Sequence, residues 1–264
     1  MILYALKIRI LNNRFIKRVL RKSSKTILKR DLTDDVFDNV AIVKKYAPGK
    51  SFADIGALWG IDGLNTFVAE ESGATRSVAV DVYPESQKFL EEKKRRNSKV
   101  EFVKGDINMK STTDKIGTCD IVLCSGVLYH TPDPAHMLMR LRAITKEILI
   151  LNTASIPEMK GVKNGGVFYP FLDESQRKIW NRKMGSQKAI TGPYEPEEGY
   201  GNWFWGMTPS LIESLLKTAG FEVIERHIYN FRAVFVCKTT SAKFFAESGE
   251  WNTPKDEAYA KFRL

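Results

Sequence analysis

The chain has 264 residues, 43% of them hydrophobic and 27% charged, which suits a soluble globular protein with one large α/β domain and appendages. Three cysteines (Cys119, Cys124, Cys237) without CxxC spacing and three histidines (His130, His136, His227) without metal-binding spacing argue against a disulfide framework and a structural metal. They point to a reduced, cytoplasmic protein with buried thiols. The formal net charge of +10 belongs to one end: residues 1–30 hold ten basic residues and no acidic one, and the rest of the chain holds 31 of each. A body without net charge lacks the wide basic footprint of a protein that grips nucleic acid across its surface.

In that basic arm, Tyr4, Ile8, Leu11, Phe15, Ile16 and Val19 share one side of a helix. Lys7, Arg14, Lys17, Arg18, Arg21 and Lys25 share the other, with Arg9 and Lys22 out of place. The spacing predicts a basic amphipathic helix. Charges interrupt it too often for a membrane span of about 20 apolar residues, and Lys7 and Arg9 break it as a secretion signal. Three destinations stay open: the arm packs on its own domain, lies on an anionic membrane surface such as the inner face of the membrane, or touches RNA.

Residues 31–50 read as a helix capped by Thr33 or Asp34 and ending near Pro48-Gly49. From Ser51 strands and helices alternate: strand 51–55, helix 64–71, strand 76–82, helix 85–96, strands 100–103 and 119–124, helix 134–145, strand 147–152. This rhythm predicts a doubly wound, mainly parallel sheet with helices on both faces. Residues 154–207 break it with Gly, Pro and many aromatics, and an insert of that length is usually functional. Helix 209–219, stopped by Gly220, precedes strands 221–228 and 232–237, which are spaced to pair. The organisation is then an arm (1–30), a core (31–153), an insert (154–207), the rest of the core sheet (208–239) and a tail (240–264).

Chemistry gathers where the strands end. Asp54-Ile55-Gly56 leads into a turn with Gly60 and Gly63, spaced GxxxGxxG rather than the GxGxxG of dinucleotide enzymes. Glycines there let a backbone approach a nucleoside closely. Asp81 closes the second strand, where a carboxylate can accept hydrogen bonds from ribose hydroxyls. Asp106 follows the third strand and can accept from an adenine amino group, with Ile107 packed near the ring. Ser125, Tyr129 and His130 leave the fourth strand. Each has a plain alternative, since Asp81 could cap a helix and Asp106 could form a turn. Four in order, each at a strand's carboxyl end, argue for one site.

At these residues the chain resembles the class I methyltransferases that use S-adenosyl-L-methionine (SAM). Asp54-Ile55-Gly56 is similar to the family's first motif, Asp81 to its ribose-binding acid and Asp106 to its adenine-binding acid; SGVLYHTPDP at 125–134 is similar to the loop after its fourth strand. The likeness spans residues 50–153 well and 203–222 more loosely. It implies a seven-stranded Rossmann-like sheet whose last strand is antiparallel. Leu128-Tyr129-His130 with Asp133-Pro134 also resembles a narrower branch, which includes tRNA wobble-uridine carboxymethyltransferases and methyltransferases of sugars and small molecules. The first motif is about three residues longer here than is usual for the family.

Methyl transfer needs an aligned nucleophile and a site without water. If the acceptor is a hydroxyl, a base must take its proton, and His130 is the first candidate, with Tyr129 contacting the cofactor or orienting the acceptor. His136 reads as structural. In the insert, Trp180, Tyr200, Trp203 and Trp205 read as a lid or acceptor site combined with a satellite core. The expected acceptor is a small molecule or a glycan, a lipid-linked sugar at the membrane included; the alternative is a tRNA, and the donor stays open between SAM and carboxy-SAM. A third reading is a binding scaffold that keeps the pocket without turnover.

Overall fold

The computed structural model describes residues 38–177, 193–229 and 231–240. The expectations for the arm at 1–30, for Trp180 and for the tail after Thr240 fall outside those residues.

The first described helix, α1 (Asn39–Tyr46), stops before Ala47-Pro48, because the residue ahead of a proline is disfavoured in helical geometry. Then β1 (Ser51–Ile55), α2 (Leu64–Glu71), β2 (Arg76–Asp81), α3 (Gln87–Arg95), β3 (Glu101–Lys104), α4 (Lys110–Ile116), β4 (Cys119–Ser125), α5 (Pro134–Ile144) and β5 (Thr145–Ala154) alternate. A short hairpin of β6 (Gly166–Phe168) and β7 (Trp205–Met207) brackets the insert, and α6 (Pro209–Thr218), β8 (Phe221–Tyr229) and β9 (Arg232–Thr239) complete the sheet. Three helices start on side-chain caps: Ser86 accepts from Phe89 N, Asp133 from His136 N, and Thr208 from Leu211 N. In α5 and α6 a proline follows the cap, where its missing N–H costs nothing.

Seven strands form one sheet in the order β3-β2-β1-β4-β5-β9-β8. β1 to β5 pair in parallel, and β9 runs antiparallel between β5 and β8. Alternate residues of each strand enter opposite layers. Val78 and Val80 join the layer of Met137, Leu141 and Phe221, whereas Ala79 joins that of Phe67 and Phe89. Burial on both faces explains the unbroken apolar runs of β2, β4 and β5. Cys119, Cys124 and Cys237 are free and buried.

The register sets the site. Ile55 pairs with Val80 and Cys124, Asp81 with Lys104, and Ser125 with Asn152, so the strands finish together along one edge of the sheet. Three elements escape the sequence pattern. α4, KSTTDKI, is short and polar, with no apolar stripe to announce it. The strands β6 and β7 have three residues each, too few for an alternation to register.

Candidate active site

The strand order reverses between β1 and β4, and chains leaving their tips part to open a crevice, the usual ligand position in such sheets. A cleft of about 630 Å³ lies there, within the range of small-molecule and cofactor sites. Gly56, at φ +81°, turns the chain out of β1 along its floor. A Cβ at Gly56 would stand 2.4 Å from Val127 Cγ2, so only a glycine leaves this approach open.

Asp81 and Asp106 line the same cleft. Asp81 Oδ2 accepts from Leu58 N at 2.9 Å and Oδ1 from Tyr83 N at 3.0 Å. The carboxylate is thus clamped by the turns after β1 and β2, and each oxygen keeps a second lone pair. Asp106 Oδ1 accepts from Asn108 N at 2.9 Å and from Asn108 Nδ2 at 3.0 Å, and its Oδ2 accepts from the Tyr200 hydroxyl. Tyr200, from the insert, therefore reaches over the cleft to the acid after β3. Ile107 and Ser125 complete this part of the lining.

The remaining motif residues stand elsewhere. Asp54 is fully buried below the cleft, with Thr66 Oγ1 3.4 Å from its Oδ2. Burial pushes its carboxyl up to about 7, against the pull of Thr66 and Asn65 and with a smaller push from the charge of Asp81. Gly63 opens α2 at φ +80° and packs under Phe89, whose ring would be 2.5 Å from an added Cβ. Gly60 lies in the turn at φ +73° with nothing within 4 Å of such an atom. The long turn closes on itself through Asp62 N to Leu58 O (3.0 Å) and Gly63 N to Ala57 O (2.7 Å). Its extra residues carry Trp59 out to the cleft rim, 83% exposed, while Asp62 turns away to Ser86 and Lys88.

Across the cleft, a 3-10 turn at Leu128–His130 presents Tyr129 and His130. The Tyr129 ring lies 4.2 Å from those of both His130 and Trp203, centroid to centroid. Trp203 lines the cleft and joins Ile156 and Tyr169 in a satellite core beneath the insert, so it serves wall and packing together. Trp205 stands outside the lining: its Nε1 donates to Pro132 O at 3.0 Å and its ring packs on Phe168. His130 Nδ1 is 2.8 Å from Asn202 O. A carbonyl only accepts, so Nδ1 carries the proton and the neutral ring keeps its lone pair on Nε2. Burial lowers the His130 pKa and raises that of Tyr129 to about 12, so at neutral pH the first is uncharged and the second protonated. His136 is buried in α5, its Nε2 3.0 Å from Asn108 O, where it braces the loop that carries Asp106.

Sequence reading missed Asn39, Asn202, Glu198 and Tyr83. Asn39 lines the cleft and donates to Ser125 Oγ at 3.1 Å, while its own Oδ1 accepts from Asn152 Nδ2 at 2.8 Å. Asn152 in turn accepts from Arg232 Nε at 2.7 Å. This chain of amides fastens α1 to the tips of β4 and β5. A lone asparagine carries no spacing signal, so only the packing reveals it.

Residues 54–148 match the family described as Methyltransferase domain. Among solved structures, the N-terminal domain of EvdMO1 with SAH bound aligns with TM-score 0.53 at 16% identity, covering 78% of this chain and 82% of that one. A second structure of that domain, in the presence of SAH and D-fucose, aligns at 0.52 with 17% identity over 78% and 84% of the two chains. The Burkholderia thailandensis 1,6-didemethyltoxoflavin-N1-methyltransferase, with bound 1,6-didemethyltoxoflavin and S-adenosylhomocysteine, aligns at 0.54 with 18% identity over 85% and 89%. No curated protein matches the chain. The matched segment and the strand order agree: residues 54–148 match a methyltransferase domain, and the sheet around them has the fold of these solved structures.

Proposed function

We propose that the protein methylates a hydroxyl of a small molecule or sugar. The observation that carries this reading is the convergence of Asp81, Asp106, Gly56 and His130 on one cleft. The fit to the cofactor rests on two acids in one cleft, Asp81 with a second lone pair on each oxygen, and on a glycine floor that a Cβ would obstruct. Asp81 would accept from the ribose hydroxyls, Asp106 from the adenine amino group, and Ile107 would pack on the base. Asn39 and Ser125 offer polar atoms toward the amino-acid end.

Bound SAM supplies an electrophilic methyl group on a sulfonium. The chain's own work is to bind, aim and keep water out. Tyr129 and Trp203 wall the reacting end, and His130 Nε2 would accept the proton that the acceptor hydroxyl gives up. Such proton transfer contributes about 10²- to 10⁴-fold. Small acceptors are favoured over tRNA by charge: the described cleft lining includes Asp81, Asp106 and Glu198 but neither lysine nor arginine, so phosphates would meet no countercharge there. The EvdMO1 domain was solved in the presence of D-fucose and the Burkholderia enzyme with bound 1,6-didemethyltoxoflavin, both small molecules. A lipid-linked sugar as acceptor rests on the basic arm alone, and liposome sedimentation with and without residues 1–30 tests it; equal pelleting removes it.

Calorimetry with S-adenosylhomocysteine, followed by a labelled-methyl screen against sugars, small phenols and tRNA, tests the whole reading. Uptake of cofactor with label on a small hydroxyl acceptor is expected. No uptake, label confined to tRNA, or full turnover by His130→Ala would each refute the corresponding part.

A further inference from the structure

Asn202 is a buried polar residue of the insert, 8% exposed, and most of its hydrogen-bonding capacity is spent on its own loop. Its Nδ2 donates to Glu195 O at 2.7 Å and to Gly199 O at 3.0 Å, and its Oδ1 accepts from Glu195 N at 3.0 Å. Its own N donates to Gly199 O at 3.2 Å. One amide thereby ties both ends of the 3-10 segment Pro196–Gly201 into a ring, around a Gly199 held at φ 50° and ψ −118°. The main-chain carbonyl left over is the one that meets His130 Nδ1 at 2.8 Å.

We infer that Asn202 is the positioning residue of the catalytic base: its side chain shapes the loop so that its carbonyl holds His130 with the proton on Nδ1 and the lone pair of Nε2 toward the acceptor. The inference rests on the proposed role of His130 as base. Asn202 touches neither acceptor nor cofactor and acts only through the histidine. An unanchored neutral imidazole favours the opposite tautomer, with the proton on Nε2, and in that form it cannot accept a proton at the reacting end. Only an amide fits here. Two donors and an acceptor on one planar group answer the Glu195 carbonyl, the Gly199 carbonyl and the Glu195 N–H together; a carboxylate lacks the donors and an alanine lacks all three. The same loop carries Tyr200 to Asp106, so the ring that sets the base also closes over the cofactor end of the cleft.

The test reads the tautomer directly. With three histidines in the chain, ¹⁵N NMR of the full-length protein can assign each ring. His130 is expected with its proton on Nδ1; a proton on Nε2 in the wild type overturns the inference without any variant. In Asn202→Ala the Nε2–H form should appear, and kcat should fall about 10- to 100-fold while the Kd for S-adenosylhomocysteine changes less than about threefold. In a His130→Ala background the same substitution should cost less than about twofold more, because the residue it serves is gone. An equal loss in both backgrounds, or an unchanged tautomer and kcat, overturns the inference. If Asn202→Ala does not fold, Asn202→Asp, which keeps only the acceptor for Glu195 N–H, takes its place with the same expectations. Full turnover by His130→Ala refutes the base itself and the inference with it, whereas a dead His130→Ala beside an unaffected Asn202→Ala refutes the inference alone.

Discussion

Replacing Asp81 by asparagine should damage stability and cofactor binding together. The two carboxylate oxygens accept from different main-chain donors, Leu58 N at 2.9 Å and Tyr83 N at 3.0 Å. An amide of the same shape has one oxygen and one NH₂, so whichever way it turns, one of those N–H groups faces another donor. Asp81 is only 6% exposed, so water can replace the lost acceptor poorly. An unsatisfied buried donor costs about 1–3 kcal/mol. For a domain of this size each kcal/mol lowers Tm by about 2–4 °C, so a fall of about 2–12 °C is expected in thermal unfolding. The turn after β1 and the turn after β2 would also lose their common anchor, and the ribose its charged acceptor. Calorimetry should therefore show S-adenosylhomocysteine bound at least about tenfold more weakly, which corresponds to about 1.4 kcal/mol. A Tm within about 1 °C of wild type and an unchanged Kd would refute the clamp.

Because burial lowers the His130 pKa, the acid limb of kcat/KM should fall below the ordinary histidine value of about 6.5, with activity level above that and declining as pH drops and the ring protonates; a limb at or above 6.5 contradicts it. Asp54 carries the opposite sign. Its carboxyl is pushed up to about 7 in the fold, so the folded state holds a proton that the unfolded chain releases near 3.8, and stability is lost as pH rises between the two. Asp54→Asn should accordingly gain on the wild type by up to about 4 kcal/mol between pH 4 and 8 in urea unfolding; a pH-independent difference sinks the assignment. Gly63→Ala sets a Cβ 2.5 Å from the Phe89 ring at φ +80°, whereas Gly60→Ala meets nothing within 4 Å at φ +73°. The first should cost about 2–4 kcal/mol and the second about 1–2, as read by denaturant midpoints, and equal costs would show that the ring yields freely.

The insert combines packing with part of the cleft wall. Trp203 supports the satellite core and also lines the cleft, Tyr200 spans the cleft to Asp106, and Asn202 holds the turn between them. Phe204 N donates to Tyr129 O at 2.9 Å, which ties the segment to the turn that presents His130. The loop is thus bonded at both Asp106 and His130, on opposite sides of the cleft.

Much of this protein was readable in the chain itself, wherever the governing physics is local. Apolar runs flanked by turn residues mark β1, β2, β4 and β5 because both faces of a parallel strand are covered, and Ser, Asp and Thr before apolar periods mark helix starts because they satisfy free N–H groups. Asp81 and Asp106 were legible because the first ends a strand and the second closely follows one, and pairing in register brings strand ends to one edge. Long-range packing decided the rest. Neither the partnership of Tyr200 with Asp106, 94 positions apart, nor that of Asn202 with His130, 72 apart, leaves a periodicity to read. Three glycines with similar positive φ look alike in the sequence, yet one floors the cleft, one lies open and one sits under a phenylalanine, since what surrounds a backbone atom depends on elements brought in from elsewhere. Asp54 is fully buried and off the cleft lining whereas its neighbour Ile55 is part of that lining, because adjacent strand residues face opposite ways, and only the assembled layers say which side is which.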